Sequence, residues 1–142
     1  MNIWMKILFL FWMIFMHIVD DYYLQGILAQ LKQKKWWEDN IPREKFDMYE
    51  NDYKVALICH GFSWSMMVHI PVFVSMYIAK VDSIEYFACL LVWIIGMAAI
   101  HSTIDNAKAN VHTINLVEDQ ILHLVFILIT WGAFVVTIGY TK

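Results

Sequence analysis

Four apolar runs, each long enough to cross a bilayer, constrain this chain more than any other feature. About 20 mainly apolar residues span about 30 Å of hydrocarbon as a helix. The runs are Ile3 to about Val19, with helix-compatible residues continuing to Leu31, then Val55 to Ala79, Ile84 to Ile104 and Leu116 to Tyr140. In lipid every backbone amide and carbonyl must be paired within the protein, so such runs specify helices. Between them lie a long polar loop, 36–52, a tight turn, 80–83, and a short polar link, 106–115. Short links place successive helices antiparallel. The expected fold is all-α. It is one transmembrane domain over residues 1–142, an up-and-down four-helix bundle with spans at about 3–31, 55–79, 84–104 and 116–140.

Composition narrows the class. Hydrophobic residues make up 61% of the chain and charged residues 16%, against about 45–50% and about 25% in soluble domains. That excludes a disordered chain, a disulfide scaffold and an ordinary soluble enzyme. The net charge of −3 offers no basic surplus for nucleic acid. Cys59 and Cys89 each lie inside an apolar run, where a thiol reads as a small buried hydrophobe, and no C-x-x-C pair exists to hold zinc. The first run carries only Lys6 as an early charge and is followed at once by Asp20-Asp21, so it reads as a retained helix rather than a cleaved leader. Pro71 should kink the second span, with neighbouring helices satisfying the freed carbonyl.

The lysines and arginine give an orientation. Lys32, Lys34, Lys35, Arg43, Lys45, Lys54 and Lys108 fall on one side, and Lys6, Lys80 and Lys142 on the other. The richer side should be cytoplasmic, with both termini outside. Trp36, Trp37, Tyr49 and Tyr53 then mark the inner interface, and Tyr77, Tyr86 and Tyr140 the outer one. The loop is dense in both charge signs. It leaves room after Pro42 for a short interfacial helix, either a solvated connector or a lid near a binding site.

The polar residues within the spans carry the chemistry. Each ionisable group near the bilayer centre costs about 2.5–3.5 kcal/mol on insertion scales, so such groups are paired or functional. His17/Asp21, His101/Asp105 and Asp119/His123 are each four residues apart and share a helix face. Chance placement of the six His and 13 acids yields roughly one such pair. Depth adds independent information. At about 1.5 Å rise per residue, His17, His60 and His123 each lie roughly 9–10 Å from the cytoplasmic surface, and His101 lies closer still. Asp21, Asp105 and Asp119 fall one turn nearer the cytoplasm. Four helices thus bring imidazoles and carboxylates to one level.

That donor set suits Zn, Mn or Fe. The candidate ligands are His17, Asp21, His60, His101, Asp105, Asp119 and His123. Asp21, Asp105 and Asp119 are the candidate catalytic carboxylates, as general base where not used as ligand. Gln25 and Gln120 could orient ligands. Lys108, three residues after Asp105, could pair with it or hold an anionic group. His69 reads as a packing or pore residue, His112 as solvated and Asp20 as interfacial, on a different face from Asp21. Ser63 and Ser65 have no G-x-S-x-G context for serine hydrolysis.

His17-Ile-Val-Asp-Asp21-Tyr-Tyr-Leu-Gln25 resembles the H-x3-D-[FY]-x-[LF]-Q signature of a family of small bacterial and phage integral membrane proteins. His101-Ser-Thr-Ile-Asp105-Asn-Ala-Lys108 resembles that family's H-x-x-[IL]-D-x-x-K element, and Asp119-Gln120-Ile-Leu-His123 its D-Q-x-x-H element. His60, early in the second span, also fits. The ordered elements cover nearly the whole chain. Tyr22 replaces the commoner Phe, and the first span is unusually rich in Trp, Phe and Met. The resemblance implies one multi-span protein of the cytoplasmic membrane, with these residues and Gln25, Lys108 and Gln120 forming one site. It implies no reaction.

Three functions fit these residues. A metal-dependent hydrolase would use the cluster on a small anionic or lipid head-group substrate, with Lys108 and Lys32–Lys35 attracting it. A transporter or proton pathway would continue the polar line outward through His69. A structural or regulatory membrane protein would use the His–Asp pairs as clamps between helices or toward a second copy.

Overall fold

A computed structural model describes residues 1–140, with side chains through Ile138. Lys142 and the side chain of Tyr140, used above for orientation, lie outside the described part. Helix α1 runs Ile3–Ile18 and continues as a π-helical turn over Val19–Leu24. Asn2 caps it, its side chain accepting from the Met5 amide at 2.9 Å. Short helices follow: α2 (Leu28–Leu31), α3 (Lys34–Asn40), a 3-10 turn at Arg43–Lys45 and α4 (Phe46–Tyr49). Three long helices complete the chain. They are α5 (Asp52–Ala79), α6 (Ile84–Asn106, continued as a π turn to Val111) and α7 (Leu116–Thr130, continued as a π turn to Val136).

Four of these helices are long and apolar enough to cross a membrane: Ile3–Leu24, Asp52–Ala79, Ile84–Val111 and Leu116–Val136. The fold is the expected all-α four-helix bundle. Apolar side chains such as Trp4, Phe11, Val92 and Ile95 stand exposed on its outer surface, compatible with contact to lipid.

The boundaries differ from the sequence reading in instructive ways. The first span stops at Leu24, not Leu31. Gly26 adopts φ +51°, a left-handed conformation that costs glycine little and ends the helix. The third span runs on to Val111 through residues expected in a link, and His112, at φ 58°, turns the chain instead. The loop holds α4 after Pro42, as expected, and also α3 before it. Trp37 anchors this region: its Nε1 donates to the Leu31 carbonyl at 2.7 Å and its ring stacks on Tyr49 at 6.0 Å. α5 continues through Pro71 to Ala79. Cys59 and Cys89 are exposed rather than buried, because each sits on the helix face turned away from the other spans.

The core splits by chemistry. Away from the loops, Phe9, Met13, Val68, Val72, Leu90, Ile94 and Ile127 pack together and are essentially inaccessible. Toward the loops, equally buried positions carry His17, His60, His101, Asp105, Asp119 and His123. Gly61 lets α5 and α6 approach closely there. A Cβ on it would lie 2.2 Å from Ser102 Oγ and 2.6 Å from the Ala98 carbonyl oxygen.

Candidate metal centre

The four histidines predicted to share a level do meet. The His60 and His101 rings lie 4.9 Å apart, His101 and His123 stack at 4.2 Å, and His17 meets His123 at 5.5 Å. Trp64, one turn after His60, also stacks on His101, at 4.3 Å. The i,i+4 spacing from His60 could have singled it out.

Hydrogen bonds assign His17. A Trp Nε1 can only donate, and Trp64 Nε1 lies 2.7 Å from His17 Nδ1. His17 Nδ1 is therefore the acceptor, so Nε2 carries the proton and donates to Gln120 Oε1 at 3.0 Å. The Gln120 amide then donates to Asp119 Oδ2 at 3.0 Å and Asp21 Oδ2 at 3.3 Å. Both ring nitrogens of His17 are thereby engaged. It orients carboxylates through Gln120 instead of presenting a lone pair to an ion.

Two donor groups could hold a metal: Asp21, His60 and His101, and His101, Asp105 and His123. Their spacing is informative. His60 Nε2 lies 3.1 Å from His101 Nε2 and 3.2 Å from Asp21 Oδ1, and His101 Nε2 lies 3.8 Å from Asp21 Oδ1. Tetrahedral ligands about 2.0–2.1 Å from one ion sit about 3.3 Å from each other, close to this triangle. Asp105 adjoins it, with Oδ2 3.5 Å from His60 Nε2 and Oδ1 3.8 Å from His101 Nε2. His123 Nε2 lies 3.5 Å from Asp105 Oδ1. His101 Nε2 is equidistant from both carboxylates, so the two groups share a corner.

The donor chemistry fits a divalent cation. Asp21 Oδ1, Asp105 Oδ1 and His123 Nε2 are buried without a hydrogen-bond partner, and leaving such groups unmatched costs about 1–3 kcal/mol each. Charge points the same way. Asp20, Asp21, Asp105 and Asp119 bring four carboxylates to this region, met by the ammonium groups of Lys32 and Lys108. Two negative charges remain, which one divalent ion or two protons would balance.

Several roles were not expected, including that of Lys32, which the sequence placed only among the groups attracting a substrate. Lys32 is buried and ion-pairs with Asp105. Asn110 seats it, donating to the Lys32 carbonyl at 3.0 Å and accepting from the Lys34 amide at 2.7 Å. No local signal marks this contact, because Lys32 and Asp105 are 73 residues apart in the chain. Asp20 is buried, not interfacial. It accepts from Ser63 Oγ at 2.6 Å and lies 3.5 Å from His60 Nδ1. The π turn over Val19–Leu24 is the reason, since its wider winding lets adjacent acids both face inward.

The other expected residues fall as follows. Lys108 binds Asp119 Oδ2 at 2.5 Å, and its Nζ lies 4.0 Å from Asp105 Oδ1. Asp119 thus lies beside the two donor groups, with Oδ1 3.4 Å from His123 Nε2. Gln25 touches His60 Nε2 at 3.2 Å. His69 is buried, its Nδ1 2.6 Å from the Ser65 carbonyl oxygen. His112 is exposed at the loop end.

Comparison with protein-family models, with curated proteins and with solved structures finds no match. Above the cluster a cavity of about 390 Å³ opens between the helix ends, lined by Asp21, Gln25, Lys32, Lys108 and Gln120 among others. Asp21 therefore belongs both to the metal-competent triangle and to the wall of an accessible cavity.

Proposed function

We propose that this is a membrane-embedded, metal-dependent hydrolase acting on an anionic phosphoester, with its site at the loop end of the bundle. The triangle of Asp21, His60 and His101 carries the reading, because it joins ion-competent donors to an open cavity. Asp21, His60, His101 and Asp105 would hold the ion, with His123 beside them. A divalent ion bound there supplies charge for a phosphoryl oxygen and lowers the pKa of water.

The chain's own groups divide the remaining work. Lys32 and Lys108 line the cavity and would seat the anion. Asp105 and Asp119 are each held by a lysine, whereas Asp21 lines the cavity directly. A water oxygen would bond to phosphorus as the bond to the leaving oxygen breaks. The proton lost by that water ends on the leaving oxygen. Trp64, His17 and Gln120 would keep Asp21 Oδ2 engaged so that Oδ1 faces the ion. The lysine asymmetry supports a cytoplasmic loop face with termini outside, and the resemblance supports a bacterial or phage origin.

Metal content of the detergent-purified chain, by plasma mass spectrometry, tests this. Near-stoichiometric Zn, Mn or Fe is expected in the parent and none in His101→Ala. His17→Ala should still bind, roughly 10–100-fold more weakly, because it acts through Gln120. A parent that takes up none of the three ions overturns the reading. A proton pathway is the second reading, and one observation favours it: His69 Nε2 is buried without a hydrogen-bond partner. His69 stands nine residues from His60, about 13 Å of helix rise, beside the apolar Val68 and Val72. Proton flux in reconstituted vesicles that His69→Leu abolishes would select it.

A further inference from the structure

A second cleft adjoins the first. It has about 480 Å³ and lies on the lateral surface where α1 and α7 meet. Ile14, Ile18 and Leu124 form apolar walls, and His17 and Gln120 form a polar floor. Tyr22 and Gln120 line both this groove and the loop-end cavity. The two are therefore neighbours with opposite chemistry. One part presents Lys32 and Lys108, and the other is an aliphatic channel facing the bilayer.

The polar part offers ammonium donors to an anion, beside the Asp21 carboxylate that also lines it. An ammonium has three donors, and Lys108 is a quarter exposed while bound to Asp119. Donors therefore remain for a ligand in the cavity. A small soluble anion would use only this part. An amphiphile uses both, with its head between the lysines and a chain leaving sideways at the level of Tyr22. The groove opens on the surface that carries the exposed apolar residues Phe11, Phe15 and Ile18, where acyl chains are available and water is not.

We infer that the site takes an anionic phospholipid of the bilayer, admitted laterally between α1 and α7, with its phosphate at Lys32 and Lys108 and an acyl chain along Ile14, Ile18 and Leu124. Its role as substrate rests on the hydrolase reading. The binding itself is measurable without turnover.

Native mass spectrometry of the full chain in detergent tests it, with dioleoyl phosphatidic acid and dioleoyl phosphatidylcholine as probes. Calorimetry with inorganic phosphate is the soluble control. The parent should retain phosphatidic acid over phosphatidylcholine. Leu124→Trp should fill the groove and weaken phosphatidic acid at least about tenfold while leaving phosphate binding unchanged. Lys108→Gln should weaken both by about tenfold or more. Ile14→Trp narrows the same groove from α1 and serves if Leu124→Trp does not fold. Metal content equal to the parent's shows that the variant site is intact. Equal binding of both lipids, or phosphatidic acid binding unchanged in both tryptophan variants, overturns the inference. So does a dimer mass that Leu124→Trp removes, which would assign the groove to a second copy. Absence of metal in a parent that still selects phosphatidic acid would sink the hydrolase reading alone.

Discussion

The two halves of the bundle are buried equally and held differently. Away from the loops, Met13, Val68, Leu90 and Ile127 are fully inaccessible and wholly apolar. Toward the loops, His17, His60, His101, Asp105 and Asp119 are just as inaccessible, but ion pairs and hydrogen bonds join most of them. In water the first half would gain most from burial. In lipid the hydrophobic term between helices largely vanishes, since acyl chains are as apolar as leucine, and dispersion packing remains. The polar half gains from ion pairs and hydrogen bonds whose loss leaves desolvated groups behind. The difference teaches that burial alone does not rank positions in this protein. What a position touches does.

Substitutions can break that contrast, and the largest effect is expected at Lys32. Lys32→Met leaves the Asp105 carboxylate buried without its ammonium partner, and unpairing a buried charge costs about 3–5 kcal/mol. Thermal unfolding in detergent should show it. Restoration in the double variant with Asp105→Leu would confirm that the cost is electrostatic. Gly61→Val comes next. Its side chain would collide with Ser102 Oγ and the Ala98 carbonyl, so α5 and α6 must separate at a cost of about 1–3 kcal/mol. Metal uptake should fall with it, because His60 and His101 ride on those helices. Loss of stability with unchanged metal content would show that the site tolerates the shift.

In the apolar half, Leu90→Ala should cost about 1–2 kcal/mol, below the range in soluble cores, since the cavity term survives and the transfer term largely does not. A cost matching Lys32→Met would erase the contrast between the halves. The smallest effect is expected at Asn115. Its side chain accepts from the Val117 and Glu118 amides at 2.8 and 3.1 Å, and the Glu118 carboxylate accepts from the Asn115 amide at 2.8 Å. Asn115→Ala removes this capping box for about 1 kcal/mol, and metal content should not change.

Much of the site was legible because helices in a bilayer have a ruler. The rise per residue sets depth and the i,i+4 spacing sets the face, so His17, His60, His101 and His123 could be placed on one level before any contact was known. Asp20 escaped that logic because the face argument assumed α-helical winding where the chain makes a π turn. The end of the third span escaped for a related reason. Ala107–Val111 falls inside the expected polar link, yet it extends α6 and places Lys108 and Asn110 over the cluster.

By itself the sequence determined the number of spans, the all-α class, the level of the histidines and the pairing of His with Asp along three of the helices. These follow from local periodicity and from the solvent that the apolar runs require. Only the tertiary structure decided which donors converge. It engaged both nitrogens of His17, drew Asp20 inward and brought Lys32 to Asp105. It also set a polar cavity beside an apolar groove, with Tyr22 and Gln120 lining both. Those outcomes depend on rotation of helices about their axes and on one turn at Gly26. Neither leaves a periodic trace, because each is set by contacts between residues far apart in the chain.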